Sequence, residues 1–174
     1  MQRYRIGVLM GGSSSEVHIS LQSGQAVYEH LDPSLFEPYR IHILSNGWYV
    51  LDDEGRSHEV DRNDFSCRMN GQKVQFDALF NAIHGKPGED GTLQGYLELL
   101  GIPYTGSGVM ASSIAIDKTM TKRIGLSENV PTPRYVLLKQ NDMGPEAQAR
   151  VLQSLGLPLI VKPAREGSSI GVTK

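Results

Sequence analysis

A histidine, four glycines and a pair of acids fall within twelve residues, His84-Gly85-Lys86-Pro87-Gly88-Glu89-Asp90-Gly91-Thr92-Leu93-Gln94-Gly95. An apolar run, Ala78 to Ile83, precedes them, and an amphipathic one, Tyr96 to Leu100, follows. That order reads as strand, glycine-rich loop, helix. Glycine lets the backbone take positive φ and lets a ligand come close. The Glu89-Asp90 pair falls where a helix N-terminus favours negative charge. A histidine at the carboxyl end of a strand is aimed at the edge where open α/β sheets bind ligands. A tight turn before a capped helix fits the same string, as does a core histidine bonded to backbone.

Three further groups could do chemistry. Glu16 follows Gly11-Gly12 and would suit a substrate ammonium, although Ser13-x-x-Glu16 also spells a capping box. Lys118 lies on a predicted helix between Asp117 and Thr119, where a solvated lysine is the ordinary reading. Lys162 ends the apolar run Leu157 to Val161, so it is expected to emerge from a buried strand into a turn at Pro163. Two cations converging on the loop Gly167-Ser168-Ser169, with Gly171 beyond it, would make a triphosphate site, because phosphates need compact positive charge and backbone donors. A flexible hairpin turn is the plain alternative for that loop. The string Gly106-Ser107-Gly108-Val109-Met110-Ala111 imitates a dinucleotide fingerprint, but the short run before it holds Pro103 and no acid closes a second strand at the right distance. No Walker A loop is present, and the histidines show no metal-ligand spacing.

The elements that must position these groups alternate. Ile6 to Met10 reads as a buried parallel strand ending in Gly-Gly. Val17, Leu21, Val27 and Leu31 mark one face of a helix ending near Asp32-Pro33. Arg40 to Leu44 reads as a second strand, Trp48 to Leu51 as a hairpin arm, and Ala78 to Ile83 as the third core strand before a helix over 92–100. Residues 52–76 are polar and are expected to form an excursion with a strand near Val74. This alternation predicts a parallel sheet covered by helices. A second unit begins near Ser107, with a helix over 108–128 broken at Ile116-Asp117. A strand is expected over 134–138, a helix over 144–155, strands over 157–161 and from Ile170. The chain reaches Lys174 as a returning strand begins, and a half-built sheet leaves unpaired edges; the expectation is a fragment.

At 174 residues, 39% hydrophobic and 21% charged, the chain has an ordinary globular composition. A net charge of −2 argues against nucleic acid or an anionic membrane as the main partner. One cysteine, Cys67, excludes an internal disulfide and favours a reducing compartment. The basic start Met1 to Ile6 is followed by too few apolar residues for a signal-peptide core, and no run approaches membrane-spanning length, so a cytoplasmic location is expected.

The string H-G-x-x-G-E-D-G-x-L-Q-G resembles the signature of the D-alanine–D-alanine ligases, ATP-grasp enzymes of peptidoglycan precursor synthesis. Gly11-Gly12-Ser13-Ser14-Ser15-Glu16 with Ile19-Ser20, Tyr104 to Gly108, Asp117-Lys118, Val161 to Ala164 and Gly167 to Val172 continue it in the family's order. The resemblance runs from about Ile6 to Lys174. It implies an α/β fold: an N-terminal, Rossmann-like pre-ATP-grasp domain with a parallel sheet over 1–106, then the start of an ATP-grasp α+β domain over 107–174, incomplete. It implies that Glu16 holds the amine of the first D-alanine, that Ser168 hydrogen-bonds that glutamate, and that His84 lies by the substrates. Lys118, Lys162, Gly167 and Ser169 would bind the phosphates of ATP. Two magnesium or manganese ions, a homodimer, and ligation through an acyl phosphate are implied as well; no metal ligand is identifiable in the sequence. A D-lactate or D-serine ligase of the same family, or a non-catalytic binding fragment, are the alternatives.

Overall fold

The computed structural model describes residues 3–142 and 144–174. Met1 and Gln2 of the basic start lie outside the described residues. The chain divides into two compact units between Ser113 and Ile114.

In the first unit, Val8, Leu9 and Met10 are all buried, as a run with no polar alternation requires. They lie in strand β1 (Tyr4–Gly11), the interior strand of a seven-stranded sheet. Helix α1 (Val17–His30) leads to β2 (Phe36–Leu44), parallel to β1. The sheet then turns antiparallel through β3 (Gly47–Leu51), β4 (Ser57–Asp61), β5 (Ser66–Met69) and β6 (Gln72–Val74). Strand β7 (Ala78–Asn81) returns to the other side of β1, again parallel, giving the order β6-β5-β4-β3-β2-β1-β7. Helix α2 (Thr92–Leu100) follows, at the predicted bounds.

The α/β class and the parallel strands are as expected, and the expected hairpin arm opens an antiparallel extension that makes the whole sheet mixed. Only β2, β1 and β7 run together; Ser45-Asn46 turns the chain back on itself, and three more short strands follow β3 without crossover helices. The excursion over 52–76 also does more than expected. It buries Val60, Phe65 and Cys67, and Phe65 packs edge-on to Phe76 with ring centres 6.1 Å apart. Strands of three to five residues between polar turns carry too few alternations to stand out.

The two faces of the sheet are covered differently. Leu9, Ile41, Ile43 and Leu79 share a core cluster with Leu93 and Leu97 of α2. On α1 the predicted apolar stripe is only half-buried; the buried positions are Ser20 and Gly24. Gly24 rides on Met10 so closely that a Cβ there would lie 2.6 Å from that side chain.

Burial pushes the Cys67 thiol up to about 11. Since the thiolate is the nucleophile, Cys67 should resist iodoacetamide in the native protein and react only on unfolding; alkylation at a free thiol's rate in native buffer would contradict this packing.

Helix α3 (Val109–Ile116), which runs across the boundary between the units, and α4 (Lys118–Ser127) bear out the break at Ile116-Asp117. Helix α5 (Pro145–Leu155) starts on a proline whose fixed φ suits a first turn. The strands expected over 134–138 and 157–161 do not form. The latter run reduces to one antiparallel bridge between Val161 and Thr173, and Leu157 and Ile160 are exposed. Apolar residues propose a strand, but a ladder needs partners, and among the described residues only Thr173 pairs with that run. Ile170 lies in a turn, not at a strand start. Among the described residues no helix is long and apolar enough to cross a membrane.

Candidate functional site

Because β2 and β7 flank β1 on opposite sides, the chain reverses its direction of travel across the sheet at β1. Crevices at such switch points, beyond the carboxyl ends of the strands, are where open α/β folds take ligands. The loop after β1 and the loop after β7 meet there. Ser13 N–H donates to the Lys86 carbonyl at 2.9 Å, and Ser14 Oγ donates to the His84 carbonyl at 2.8 Å. Gly12 (φ 96°) makes this approach possible, since a Cβ would sit 2.8 Å from the Lys86 oxygen.

The capping box expected at Ser13 and Glu16 is not formed. Glu16 itself occupies the position before α1, with no capping bond from its side chain, and its N–H donates to Ser14 Oγ at 3.2 Å. Ser13 is instead spent on the Lys86 carbonyl. Glu16 is 6% exposed and lies beside Gly85, where a Cβ would come within 3.4 Å of its Oε2. His84 is half-buried, with Nε2 3.2 Å from Ser23 Oγ on α1. The structure thus brings Glu16 and His84 onto adjoining loops at the carboxyl edge of β1 and β7.

Behind them the loop is braced. Glu89 accepts from Gly85 N–H at 2.7 Å, so this acid folds its own loop, while Asp90 accepts from Thr92 N–H at 3.0 Å in the first turn of α2. The Gly88 carbonyl accepts from both Asn81 Nδ2 and Gln94 Nε2, at 2.7 and 2.5 Å. Ser20, wholly buried, donates to the Ala82 carbonyl and accepts from Gly11 N–H, both at 2.8 Å, tying the ends of β7 and β1 together. Sequence reasoning missed the work of Ser14, Ser20, Ser23 and Asn81. The usable signal was Ser20 and Ser23, one helical turn apart on the face turned toward the sheet.

In the second unit, Lys118 opens α4. Its N–H donates to the Ala164 carbonyl at 2.9 Å and its ammonium donates to the Glu166 carbonyl. Arg165, between these two, pairs with Asp117 at 2.8 Å. Lys162 is exposed, in irregular chain beside the Val161–Thr173 bridge and not at the end of a buried strand. Gly167, Ser168 and Ser169 form a turn in which Ile170 N–H donates to the Gly167 carbonyl at 3.0 Å. Ser168 and Ser169 both have positive φ, 44° and 60°. Consecutive residues in such conformations make anion-binding concavities of backbone N–H groups, and the lysine ammonium groups supply charge, so these residues fit a phosphate chain. Among the described residues no cluster of three His, Cys, Asp or Glu side chains could hold a metal ion.

A buried carboxylate and a half-buried histidine on the loops at the switch point of an open α/β sheet stand where such folds take ligands. The family models give the narrower answer: residues 5–107 match "D-ala D-ala ligase N-terminus" and residues 122–174 match "D-ala D-ala ligase C-terminus". The chain belongs to the D-alanine–D-alanine ligase family. The D-alanine–D-alanine ligase of Polaromonas sp. (strain JS666) is 50% identical over 174 residues, covering 98% of this chain and 44% of that protein. The crystal structure of D-alanyl-alanine synthetase A from Vibrio cholerae superimposes with a TM-score of 0.85 at 33% identity, covering 99% of this chain and 52% of the other. That of the Bacillus anthracis D-alanine–D-alanine ligase complexed with ATP gives 0.66 at 35% identity, covering 93% and 48%. The chain spans about half the length of the relatives it matches.

Proposed function

We propose that the protein carrying this chain joins two D-alanines at the expense of ATP, supplying the dipeptide for peptidoglycan precursors. The observation that carries the reading is the buried Glu16 carboxylate where the loops after β1 and β7 meet, in a chain of this family. A D-amino acid offers an ammonium to such a carboxylate and leaves its own carboxylate for activation. ATP would supply that activation by transferring its terminal phosphoryl group to the carboxylate, leaving ADP. The amine of the second D-alanine then adds to the acyl carbon, inorganic phosphate leaves and the amine gives up a proton.

The chain's own residues bind and orient. Glu16 takes the ammonium of the first D-alanine with Ser168 as its partner in that task, and His84 lines the substrate crevice. Lys118, Lys162, Gly167 and Ser169 hold phosphate oxygens. Such work is positioning and charge stabilisation. The divalent ion is proposed as magnesium or manganese. Residues 1–106 are proposed as the substrate-binding domain and 107–174 as part of the ATP-binding domain, in a cytoplasmic homodimer.

The test is formation of D-alanyl-D-alanine by the full-length protein given ATP and D-alanine. Lys162→Met should raise the ATP dissociation constant about tenfold or more, as loss of a charge-assisted contact does. An unchanged ATP affinity would remove Lys162 from the site, and absence of dipeptide with intact ATP binding would overturn the assigned substrate.

A further inference from the structure

Left-handed backbone at two successive serines is strained, because each Cβ crowds its neighbouring carbonyl. It persists only where the surroundings over-determine it. The three residues just upstream of Gly167 are each tied to the first turn of α4. Lys118 holds the carbonyls of Ala164 and Glu166, and between them Arg165 Nε donates to Asp117 Oδ2 at 2.8 Å. The other oxygen of Asp117 accepts from Thr119 and Met120 N–H at 2.9 and 3.1 Å, capping α4. A single carboxylate, 8% exposed, thus fixes both the helix that carries Lys118 and the approach to the Ser168–Ser169 turn. The Arg165 guanidinium, then the Met120 N–H, hold that carboxyl down to about 2, so it is ionised at any working pH.

We propose that Asp117 is a positioning residue for the phosphate-binding loop: by gripping Arg165 it locks residues 167–169 in the left-handed, anion-binding conformation beside Lys118. The inference rests on the loop's proposed role in binding ATP. Asp117 touches no substrate; it sets the shape of the cradle.

Asp117→Asn separates its two tasks, because asparagine still caps a helix but gives up the charge that grips Arg165. In the full-length protein this variant should raise the ATP dissociation constant about fivefold, the size expected of one partly exposed ion pair. Tryptic cleavage after Arg165 should quicken by a similar factor. The double variant with Arg165→Ala should bind ATP no worse than Arg165→Ala alone. Unchanged ATP affinity and cleavage in Asp117→Asn, or a double variant whose loss is the product of the two singles, would overturn the proposal. Lys162→Met is the control: a loss of ATP affinity there with none in Asp117→Asn sinks only the positioning role, whereas no loss in either sinks the phosphate-site reading itself.

Discussion

Replacing Glu16 with glutamine in the full-length ligase is expected to raise the KM for the first D-alanine by about a hundredfold. The change is nearly isosteric, so the walls of the crevice stay in place. What is lost is the charge. An ammonium taken from water into a pocket where the carboxylate is 6% exposed must be paid back by an opposite charge, and a neutral amide returns only a hydrogen bond. The effect should fall on D-alanine and leave the ATP dissociation constant alone, since Glu16 faces the His84 loop and belongs to the first unit. Steady-state kinetics with D-alanine varied at saturating ATP reads this directly. Kinetics indistinguishable from those of the parent would remove Glu16 from substrate binding.

Ser20→Ala is expected to destabilise the first unit by about 2 kcal/mol or more. The hydroxyl serves Gly11 N–H and the Ala82 carbonyl at once, in a wholly buried position. Removing it strands a donor and an acceptor where water does not reach, and each such group costs about 1–3 kcal/mol. Urea unfolding followed by the fluorescence of Trp48, which lies in β3 of this unit, should show the midpoint move down with the slope unchanged. A midpoint within error of the parent would mean that water replaces the hydroxyl. Gly11 precedes the Glu16 loop and Ala82 precedes His84, so the same variant should also loosen the crevice and raise the KM for D-alanine.

What could be read from the sequence followed the reach of the interactions. Helix α2 was legible to the residue because Leu93 and Leu97 alternate with polar neighbours and glycines bound it on both sides. Strand β1 was legible because nothing in Val8-Leu9-Met10 could face water. Glu16 and His84 were singled out by residue type and place, and the structure sets both on the loops that meet at the carboxyl edge of β1 and β7. The capping box failed because Ser13 had a better partner seventy-three residues away, the Lys86 carbonyl; local spacing cannot know of such a rival. Strands β4 and β5 were invisible for a related reason. Their burial comes from single residues, Val60 and Cys67, whose significance depends on Phe65 and Phe76 folding over the same sheet. Lys162 was assigned a buried strand from five apolar residues, yet an apolar run is only a request for a partner. Asp117 was noticed as the neighbour of Lys118, while its hold on Arg165 spans forty-eight residues and leaves no local pattern.

The placement of β1 has a consequence for how the chain is made. Strand β1 leaves the ribosome before both of the strands that flank it, and the second of these is the last strand of the sheet, more than sixty residues later. Until Ala78–Asn81 emerge, the most apolar strand of the protein keeps one bare edge, able to template pairing with another nascent chain. Helix α1 forms early and shields one face, but an edge can be closed only by a strand. Birth order and sheet order therefore disagree, and the interval between them is when this polypeptide is most exposed to misassembly.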